Sequence, residues 1–163
     1  MAWFKKARKP IAASTAPSRV PEGLWVKCPE CEATIYTKDL VQTLSVCPKC
    51  THHFRLTAAE RLKTLFDRED WVEHDAGLAS NDPLSFTDTK PYAARLTASR
   101  KSTGMKDALL VGAGTIEGIP AIVGAMEYGF IGGSMGVVMG EKLVRAIEYA
   151  LERRIGVVIV SCS

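Results

Sequence analysis

Four cysteines in two pairs are the residues of this sequence best suited to chemistry. Cys28 and Cys31 enclose Pro-Glu, Cys47 and Cys50 enclose Pro-Lys, and fifteen residues separate the two pairs. Two cysteines three apart on a tight turn can direct both sulfurs to one ion, and two such turns complete a tetrahedral site of four thiolates. Because no ligand position stays open for water or substrate, the spacing predicts a structural metal site rather than a catalytic one.

Zinc is the favoured ion because it is redox-silent and needs no electron partner, although tetrahedral thiolate also suits a one-iron redox site. The alternative of two disulfides requires an oxidising compartment and usually a signal peptide. The basic N-terminus has no apolar segment behind it, and no run approaches the roughly 18–20 apolar residues of a membrane span. The sequence therefore predicts one structural zinc ion, a cytoplasmic location and no membrane span.

Three further side chains could take part in chemistry. Cys162 lies in a Val- and Ile-rich run, which favours a buried inert thiol over a nucleophile. His52 and His53 directly follow the last cysteine and could replace a sulfur ligand, but all four sulfurs are present. The two histidines are therefore interpreted as surface groups or as groups that contact the metal ligands.

The charge distribution argues against a nucleic-acid-binding protein. The chain has 163 residues, 47% hydrophobic and 24% charged, which is enough for one domain plus a small module. Its net charge is +3, but residues 1–21 hold five basic residues and no acidic one, so the remainder has a net charge of −2. Within residues 24–54 three lysines are balanced by three acidic residues. Nucleic-acid binding is therefore kept only as a secondary role.

Local patterns divide the first two thirds of the chain. Residues 1–23 are predicted to be a basic flexible leader, and residues 24–54 a zinc ribbon. Residues 55–107 are predicted to be a helical connecting region. It holds a capping box, Thr57-Ala-Ala-Glu60, before a helix over 58–68, and a second helix from Tyr92 that stops near Gly104.

Residues 108–163 predict an α/β unit. Two apolar, β-prone runs, 109–116 and 121–126, flank the turn sequence Glu117-Gly118-Ile119-Pro120 and predict a hairpin. A glycine turn at 132–136 precedes an amphipathic helix that is predicted to end near Arg153 or Arg154. The apolar run 155–160 predicts a strand covered on both faces. The predicted order is strand, strand, helix, strand.

Gly132, Gly133 and Ser134 are the candidate substrate-binding residues. They precede the predicted helix, where free N–H groups and the helix dipole could attract an anion or a carbonyl oxygen. The alternative is a structural turn, in which glycine permits a positive φ and close packing. Lys142 and Arg145 on the helix could meet phosphate groups, but their amphipathic setting equally favours solvated or inter-subunit contacts.

The chain resembles the carboxyltransferase β subunit of bacterial and plastid acetyl-CoA carboxylase, over essentially its whole length. The motifs that carry the resemblance occur in order: Pro21-Glu-Gly23, Cys47-Pro-Lys-Cys50, Lys106-Asp107-Ala108-Leu109, Gly132-Gly133-Ser134-Met135-Gly136, Gly140-Glu141-Lys142 and Arg145-Ala146. The resemblance implies an α/β fold, with an N-terminal four-Cys zinc ribbon followed by an incomplete crotonase-like β-β-α spiral domain.

The resemblance also implies an activity. The family transfers a carboxyl group from carboxybiotin to the methyl carbon of acetyl-CoA, which gives malonyl-CoA in the first committed step of fatty acid biosynthesis. The implied partners are a carboxyltransferase α subunit in an α2β2 assembly, a biotin carboxyl carrier protein that holds the biotin, and biotin carboxylase. ATP and nucleotide binding are implied only for the whole complex. Backbone N–H groups in glycine turns would stabilise an enolate oxyanion, so no Ser-His-Asp signature is needed.

The resemblance further implies a partial subunit. In the family, the glycine pair assigned to the oxyanion hole follows the position of Ser163, so no catalytic residue is predicted and residues 1–163 alone are expected to be inactive. Two other functional classes stay open, a zinc-ribbon nucleic-acid-binding module and a non-catalytic assembly module.

Overall fold

The computed structural model describes residues 23–162, and these divide into two compact units between Phe54 and Arg55. The predicted basic leader lies outside the described residues except for Gly23. The first unit contains two antiparallel strands, β1 (Trp25–Lys27) and β2 (Thr34–Tyr36), and a short helix, α1 (Thr37–Gln42).

The hydrophobic core of the first unit is small. Its buried side chains are Cys28, Ile35, Leu40 and Cys47, with Phe54 packed beside them. So little apolar area offsets only part of the conformational entropy lost on folding. A bound metal ion would supply the missing stability, as it does in other small domains of this kind.

The second unit is a four-stranded sheet with helices packed on both faces. Its elements are α2 (Ala58–Leu65), β3 (Val72–His74), α3 (Tyr92–Thr103), β4 (Leu109–Ile116), β5 (Ile119–Met126), α4 (Val137–Arg153) and β6 (Gly156–Val160). The strand order is β3-β4-β5-β6, and only the pair β5 and β6 is parallel. The predicted order strand, strand, helix, strand is confirmed, with α4 as the crossover that a parallel pair requires.

Side chains alternate along the central strands and so build a core on each face of the sheet. Leu109 and Val111 of β4 pack on the face that carries α4 residues such as Met139. Leu110, between them in sequence, packs on the opposite face with Leu62 of α2. The hairpin of β4 and β5 is therefore buried on both sides, which explains its nearly continuous apolar sequence.

The hairpin turn is shorter than the sequence indicated. Ile119 and Pro120 belong to β5, so Glu117 and Gly118 alone form the turn, with φ of 50° and 77°. Two consecutive residues with positive φ are typical of a type I′ hairpin. Asp67 accepts hydrogen bonds from the N–H groups of Gly118 and Glu117 at 2.9 and 2.7 Å, and these bonds lower the pKa of its carboxyl.

Helix boundaries follow local signals closely. The predicted capping box is confirmed, since the Glu60 N–H donates to Thr57 Oγ1 and the Thr57 N–H donates to Glu60 Oε2. α2 ends at Leu65, earlier than predicted, because Phe66 is extended and turns into the core. α3 stops before Gly104, as predicted.

None of the helices formed by residues 23–162 has the length and apolar character that crossing a membrane requires.

Residues 55–107 contribute a strand as well as helices. β3 pairs antiparallel with β4, and its Val72 and His74 lie opposite Ala113 and Val111. Three residues with an exposed Val72 carry too little periodicity to indicate a strand. Because β3 extends the sheet, residues 55–107 belong to the same compact unit as the residues that follow them.

Candidate functional site

The four predicted metal ligands lie together in the first unit. The Sγ atoms of Cys28 and Cys50 are 3.7 Å apart and those of Cys31 and Cys47 are 3.8 Å apart, and all four lie within 4.8 Å of one another. Tetrahedral zinc with Zn–S bonds of about 2.3 Å places its sulfurs about 3.8 Å apart. The donor set therefore fits one zinc ion, whereas a disulfide would need sulfurs about 2.0 Å apart.

Two matching backbone turns direct these sulfurs. The Glu32 N–H donates to the Cys28 carbonyl oxygen at 3.0 Å, and the Thr51 N–H donates to the Cys47 carbonyl oxygen at 2.9 Å. Glu32 and Thr51 each have a positive φ, of 57° and 63°. The same reversal of the chain thus occurs four residues after the first cysteine of each pair, and it turns both sulfurs of that pair to one side.

Four sulfurs at this spacing cannot all be thiolates without a cation. Burial raises the pKa of Cys47, but hydrogen bonds from the backbone N–H groups of Lys49 and Cys50 lower it to about 7. The His52 backbone N–H lowers the pKa of Cys50, whereas burial and the neighbouring sulfurs raise it to about 12. The Cys47 sulfur thus ionises readily, whereas the Cys50 sulfur keeps its proton. A bound divalent cation would stabilise both sulfurs as thiolates.

The remaining reactive side chains are not part of the four-sulfur cluster. His52 is half-buried with its ring edge-on to Phe54, and His53 is exposed. Cys162, predicted to be buried, is half-buried, and its thiol donates to the Met126 carbonyl oxygen at 3.2 Å. The inert character that the sequence predicts for this thiol stays a prediction.

The predicted substrate-binding turn lies between β5 and α4 in the second unit. Ile131–Gly133 forms a short 3-10 turn, and α4 begins only at Val137, with Gly136 as its N-cap. Gly132 and Gly133 have φ of 65° and 75°. Both glycines thus adopt the positive φ that glycine permits in a turn, but they lie a full turn before the start of the helix.

Two of the three backbone amides in this turn are already engaged. The Gly133 N–H donates to the Phe130 carbonyl oxygen at 3.0 Å, and the Ser134 N–H donates to the Ile131 carbonyl oxygen at 3.2 Å. These two N–H groups stabilise the turn itself, so they are not the free N–H groups of a helix N-terminus that the sequence predicted here. A structural turn therefore explains the positive φ values of the two glycines and the hydrogen bonds within residues 130–134.

Replacing Gly133 by alanine is expected to destabilise the second unit far more than replacing its neighbour Gly132. Both glycines have positive φ, which costs an L-residue about 1–2 kcal/mol. A Cβ at Gly132 would enter open space, whereas one at Gly133 would overlap the Cys162 carbonyl oxygen. The added overpacking should cost about 1–3 kcal/mol more. Chemical denaturation of the two variants measures the difference, and equal stabilities would contradict the close packing of Gly133 on the Cys162 carbonyl group, two residues after β6 ends.

Lys142 is buried, in contrast to the exposed position that its amphipathic helix indicated. Its side chain is only 4% exposed, and Nζ donates to Asp107 Oδ1 at 3.0 Å and to the Leu109 carbonyl oxygen at 2.9 Å. The Asp107 side chain is 2% exposed, and its Oδ1 also accepts the Leu109 N–H. Lys142 therefore forms a buried ion pair between α4 and the start of β4 and is not a solvated or phosphate-binding group.

Arg145 is held by two carboxylates. Its guanidinium donates to Glu141 Oε1 at 2.7 Å and to Asp75 Oδ1 at 3.0 Å. The hydrogen bonds to Glu141 and Asp75 raise the pKa of Arg145. This partly exposed network links α4 to the segment after β3, so the side chain that the sequence offered for phosphate groups has partners within its own unit.

A cavity of about 460 Å³ adjoins the glycine turn. Ser134, Met135 and Gly136 line one side of it, and Leu84 and Phe86 of the loop before α3 line another. A second cavity of about 870 Å³ has Asp107 and Lys142 in its wall. The cavity beside the glycine turn joins Ser134, a predicted substrate-binding residue, to apolar side chains.

Comparison with known protein families assigns both units. The family described as acetyl-CoA carboxylase zinc finger domain matches residues 25–50, and the family described as carboxyl transferase domain matches residues 52–163. The two matches occur in the order that the sequence motifs predicted. The carboxyl transferase match extends over more than half of the chain.

Curated relatives match along the whole chain. The acetyl-coenzyme A carboxylase carboxyl transferase subunit beta of Citrifermentans bemidjiense is 48% identical over 164 aligned residues, which cover 100% of this chain and 58% of that protein. The protein of the same name from Pedobacter heparinus is 43% identical with the same coverage. The chain thus spans little more than half the length of these relatives.

Solved structures share the fold. A transcarboxylase 12S structure with methylmalonyl-coenzyme A and methylmalonic acid bound is 26% identical, with a TM-score of 0.52, over 67% of this chain and 19% of that chain. A single-chain, multi-domain long-chain acyl-CoA carboxylase superposes with a TM-score of 0.54 at 22% identity, over 67% of this chain and 11% of that chain. Both likenesses agree with a partial crotonase-like α/β domain.

Proposed function

Because the chain belongs to the carboxyl transferase domain family, we propose that it supplies the β half of an acetyl-CoA carboxylase carboxyltransferase. The observation that carries the proposal is the ordered union of an acetyl-CoA carboxylase zinc finger with a carboxyl transferase domain, at 43–48% identity to two β subunits over the whole chain. Other carboxyl transferases among the structural neighbours support the reaction class.

The proposed reaction moves a carboxyl group from carboxybiotin to acetyl-CoA. The N–C bond of carboxybiotin breaks, a bond forms between the carboxyl carbon and the methyl carbon of acetyl-CoA, and the methyl proton passes to the biotin nitrogen. The products are malonyl-CoA and biotin, at the start of fatty acid biosynthesis. Biotin bound to its carrier protein supplies the group-transfer chemistry. We assign no catalytic residue to this chain, and we expect residues 1–163 alone to be inactive.

We propose that Gly132, Gly133 and Ser134 form the acetyl-CoA contact of this turn, in which Ser134 lines the adjoining cavity and the two glycines shape the backbone beside it. Its volume of about 460 Å³ suits part of a small-molecule ligand, and its apolar wall includes Met135 and Phe86. Because two of the turn amides are engaged internally, the turn offers a close-packed backbone surface rather than a row of free donors. The Ser134 hydroxyl is the polar group that it adds.

The remaining assignments follow from the same proposal. Cys28, Cys31, Cys47 and Cys50 hold one structural zinc ion, and reduced thiolates of this kind fit a cytoplasmic protein. The proposed partners are the α subunit in an α2β2 carboxyltransferase, the biotin carboxyl carrier protein and biotin carboxylase, while ATP binding belongs to the complex and not to this chain. We keep the leader and the ribbon over 24–54, while the predicted connecting region over 55–107 falls within the same compact unit and the same carboxyl transferase match as residues 108–163.

Nucleic-acid binding has no part in the proposal. In the ribbon Lys27 lies 3.3 Å from Glu32, so one of its three lysines is paired with an acid. Phosphate binding draws its strength from unpaired basic side chains that release counterions. Three acidic residues offset the three lysines of residues 24–54, so the ribbon has no net positive charge for phosphate binding.

A chimeric subunit tests the function. Residues 1–163 of this chain would replace the matched region of the Citrifermentans bemidjiense subunit, and the chimera would be assayed with that organism's α subunit, biotin carrier and acetyl-CoA. We expect malonyl-CoA at a rate within about tenfold of the unmodified subunit, since the two sequences are 48% identical throughout this region.

The chimera has an internal control. A second chimera with Cys28 replaced by serine should lose zinc and activity together, while the parent chimera keeps both. A chimera that folds, assembles with the α subunit and retains zinc but forms no malonyl-CoA would exclude the proposed activity.

A further inference from the structure

Glu127 is a buried carboxylate directly after β5, where the chain leaves the sheet and enters the glycine turn. The residue is 7% exposed. Its Oε2 accepts the Ala58 N–H at 2.8 Å, and its Oε1 accepts the Gly129 N–H at 2.9 Å. Neither N–H belongs to the hydrogen-bond ladder of a helix or strand, so two backbone donors depend on this one side chain.

The bond to Ala58 joins the segment after β5 to the start of α2. Ala58 is the first residue of that helix, and its N–H has no partner inside the helix. The helix dipole also favours a carboxylate at this end. Because α2 packs on the sheet through Leu62, Glu127 ties the segment after β5 to an element that is itself fixed in the core.

Backbone hydrogen bonds connect Glu127 to the glycine pair. The Phe130 N–H donates to the Glu127 carbonyl oxygen at 3.1 Å, and the Gly133 N–H donates to the Phe130 carbonyl oxygen at 3.0 Å. Tyr128 adds a second contact with the segment before α2, since the Arg55 guanidinium lies 3.8 Å from the centre of its ring. A shift of Glu127 would therefore move the turn that follows it.

We propose that Glu127 is a positioning residue for acetyl-CoA, whose carboxylate holds residues 127–134 against α2 and so sets the place of Ser134 at its cavity. The inference rests on the proposed function, because it takes residues 132–134 as the acetyl-CoA contact. Glu127 does not line the cavity that Ser134 lines, so it acts through the turn and does not touch the substrate there. Its loss should weaken acetyl-CoA binding and leave carboxyl transfer nearly unchanged.

The test replaces Glu127 by glutamine in the chimeric subunit, assembled with the Citrifermentans bemidjiense α subunit. Glutamine keeps the shape of the side chain, but its amide nitrogen cannot accept a hydrogen bond, so one of the two N–H groups loses its acceptor. We expect the KM for acetyl-CoA to rise at least about fivefold. The kcat and the KM for the carboxybiotin carrier should each change by less than about twofold.

Asp67 supplies the matched control. It too is a carboxylate that accepts two backbone N–H groups, those of Glu117 and Gly118. These lie at the turn of the β4–β5 hairpin, at the opposite end of the two strands from Glu127. D67N should lower stability but leave the KM for acetyl-CoA within about twofold of the unmodified chimera. If Glu127 had only a structural role, E127Q would behave like D67N.

Amide hydrogen exchange in residues 1–163 tests the positioning without any activity. In E127Q the N–H groups of Gly133 and Ser134 should exchange at least about tenfold faster than in the unmodified chain, while those of β4 and β5 keep their rates. In D67N the acceleration should be confined to residues 117 and 118. If the unmodified chimera formed no malonyl-CoA, the proposed function would fail, and these exchange rates would still decide whether Glu127 holds the turn.

Three results would overturn the inference. A folded E127Q chimera keeps the KM of the unmodified one for acetyl-CoA, or D67N raises that KM as much as E127Q does, or E127Q leaves the exchange of Gly133 and Ser134 unchanged.

A second variant serves if circular dichroism shows that E127Q does not fold. In E127D the aspartate can still accept the Gly129 N–H two residues on, but it is one methylene too short for Ala58. E127D should raise the KM for acetyl-CoA at least about threefold, and an unchanged KM would equally overturn the inference.

Discussion

Replacing Cys28 by serine is expected to abolish zinc binding and to unfold the first unit. A four-thiolate zinc site contributes about 10–16 kcal/mol of apparent binding free energy in small domains, and that energy is also folding energy. The core of this unit is too small to replace it, because Cys28 and Cys47 are themselves two of its four buried residues. Zinc content by mass spectrometry under native conditions should fall from one ion per chain to none, and amide exchange over residues 24–54 should become fast.

Cys162 supplies the matched control for this experiment. It is a cysteine of the second unit whose thiol only donates a hydrogen bond to the Met126 carbonyl oxygen. C162S should therefore keep one zinc ion per chain and a folded ribbon. Retention of one zinc ion by C28S would contradict the four-ligand site. If the unmodified protein contained iron, with its visible charge-transfer absorption, the metal would be assigned as iron instead of zinc.

Features that depend on neighbours in sequence could be predicted from the sequence. Three such features are local to a short stretch of chain. They are the two cysteine turns, the capping box at Thr57 and Glu60, and the hairpin of β4 and β5. Backbone geometry links such residues directly, so local pattern determines local structure. The metal cluster could be predicted for the same reason, since each turn presents its own pair of sulfurs.

Features that depend on distant partners could not be predicted. Lys142 has the helical position of a surface residue, and only the fold brings it to Asp107, 35 residues earlier. Glu127 is buried because its carboxylate accepts the Ala58 N–H, 69 residues away, at the start of α2. No periodicity signals such a pairing, because a charged residue in an amphipathic helix is ordinarily solvated.

Replacing Lys142 by methionine is expected to lower the stability of the second unit by about 3–5 kcal/mol, because it leaves the Asp107 carboxylate buried and uncompensated. Methionine preserves most of the side-chain volume, so the loss reports the charge rather than a cavity. Asp107 Oδ2 already has no hydrogen-bond partner within the described residues, so the carboxylate relies on Lys142 for neutralisation. Denaturant titration of the second unit measures the change.

A double variant separates the charge from packing. In K142M/D107N the asparagine can still accept the Leu109 N–H, but no charge stays buried, so this variant should be more stable than K142M alone. Lys101, an exposed lysine at the end of α3, gives the control K101M, which should stay within about 0.5 kcal/mol of the unmodified protein. If K142M were as stable as K101M, the ion pair would not be what fixes α4 against β4. A loss that the double variant fails to relieve would assign the effect to packing, since only an uncompensated carboxylate is rescued by removing its charge.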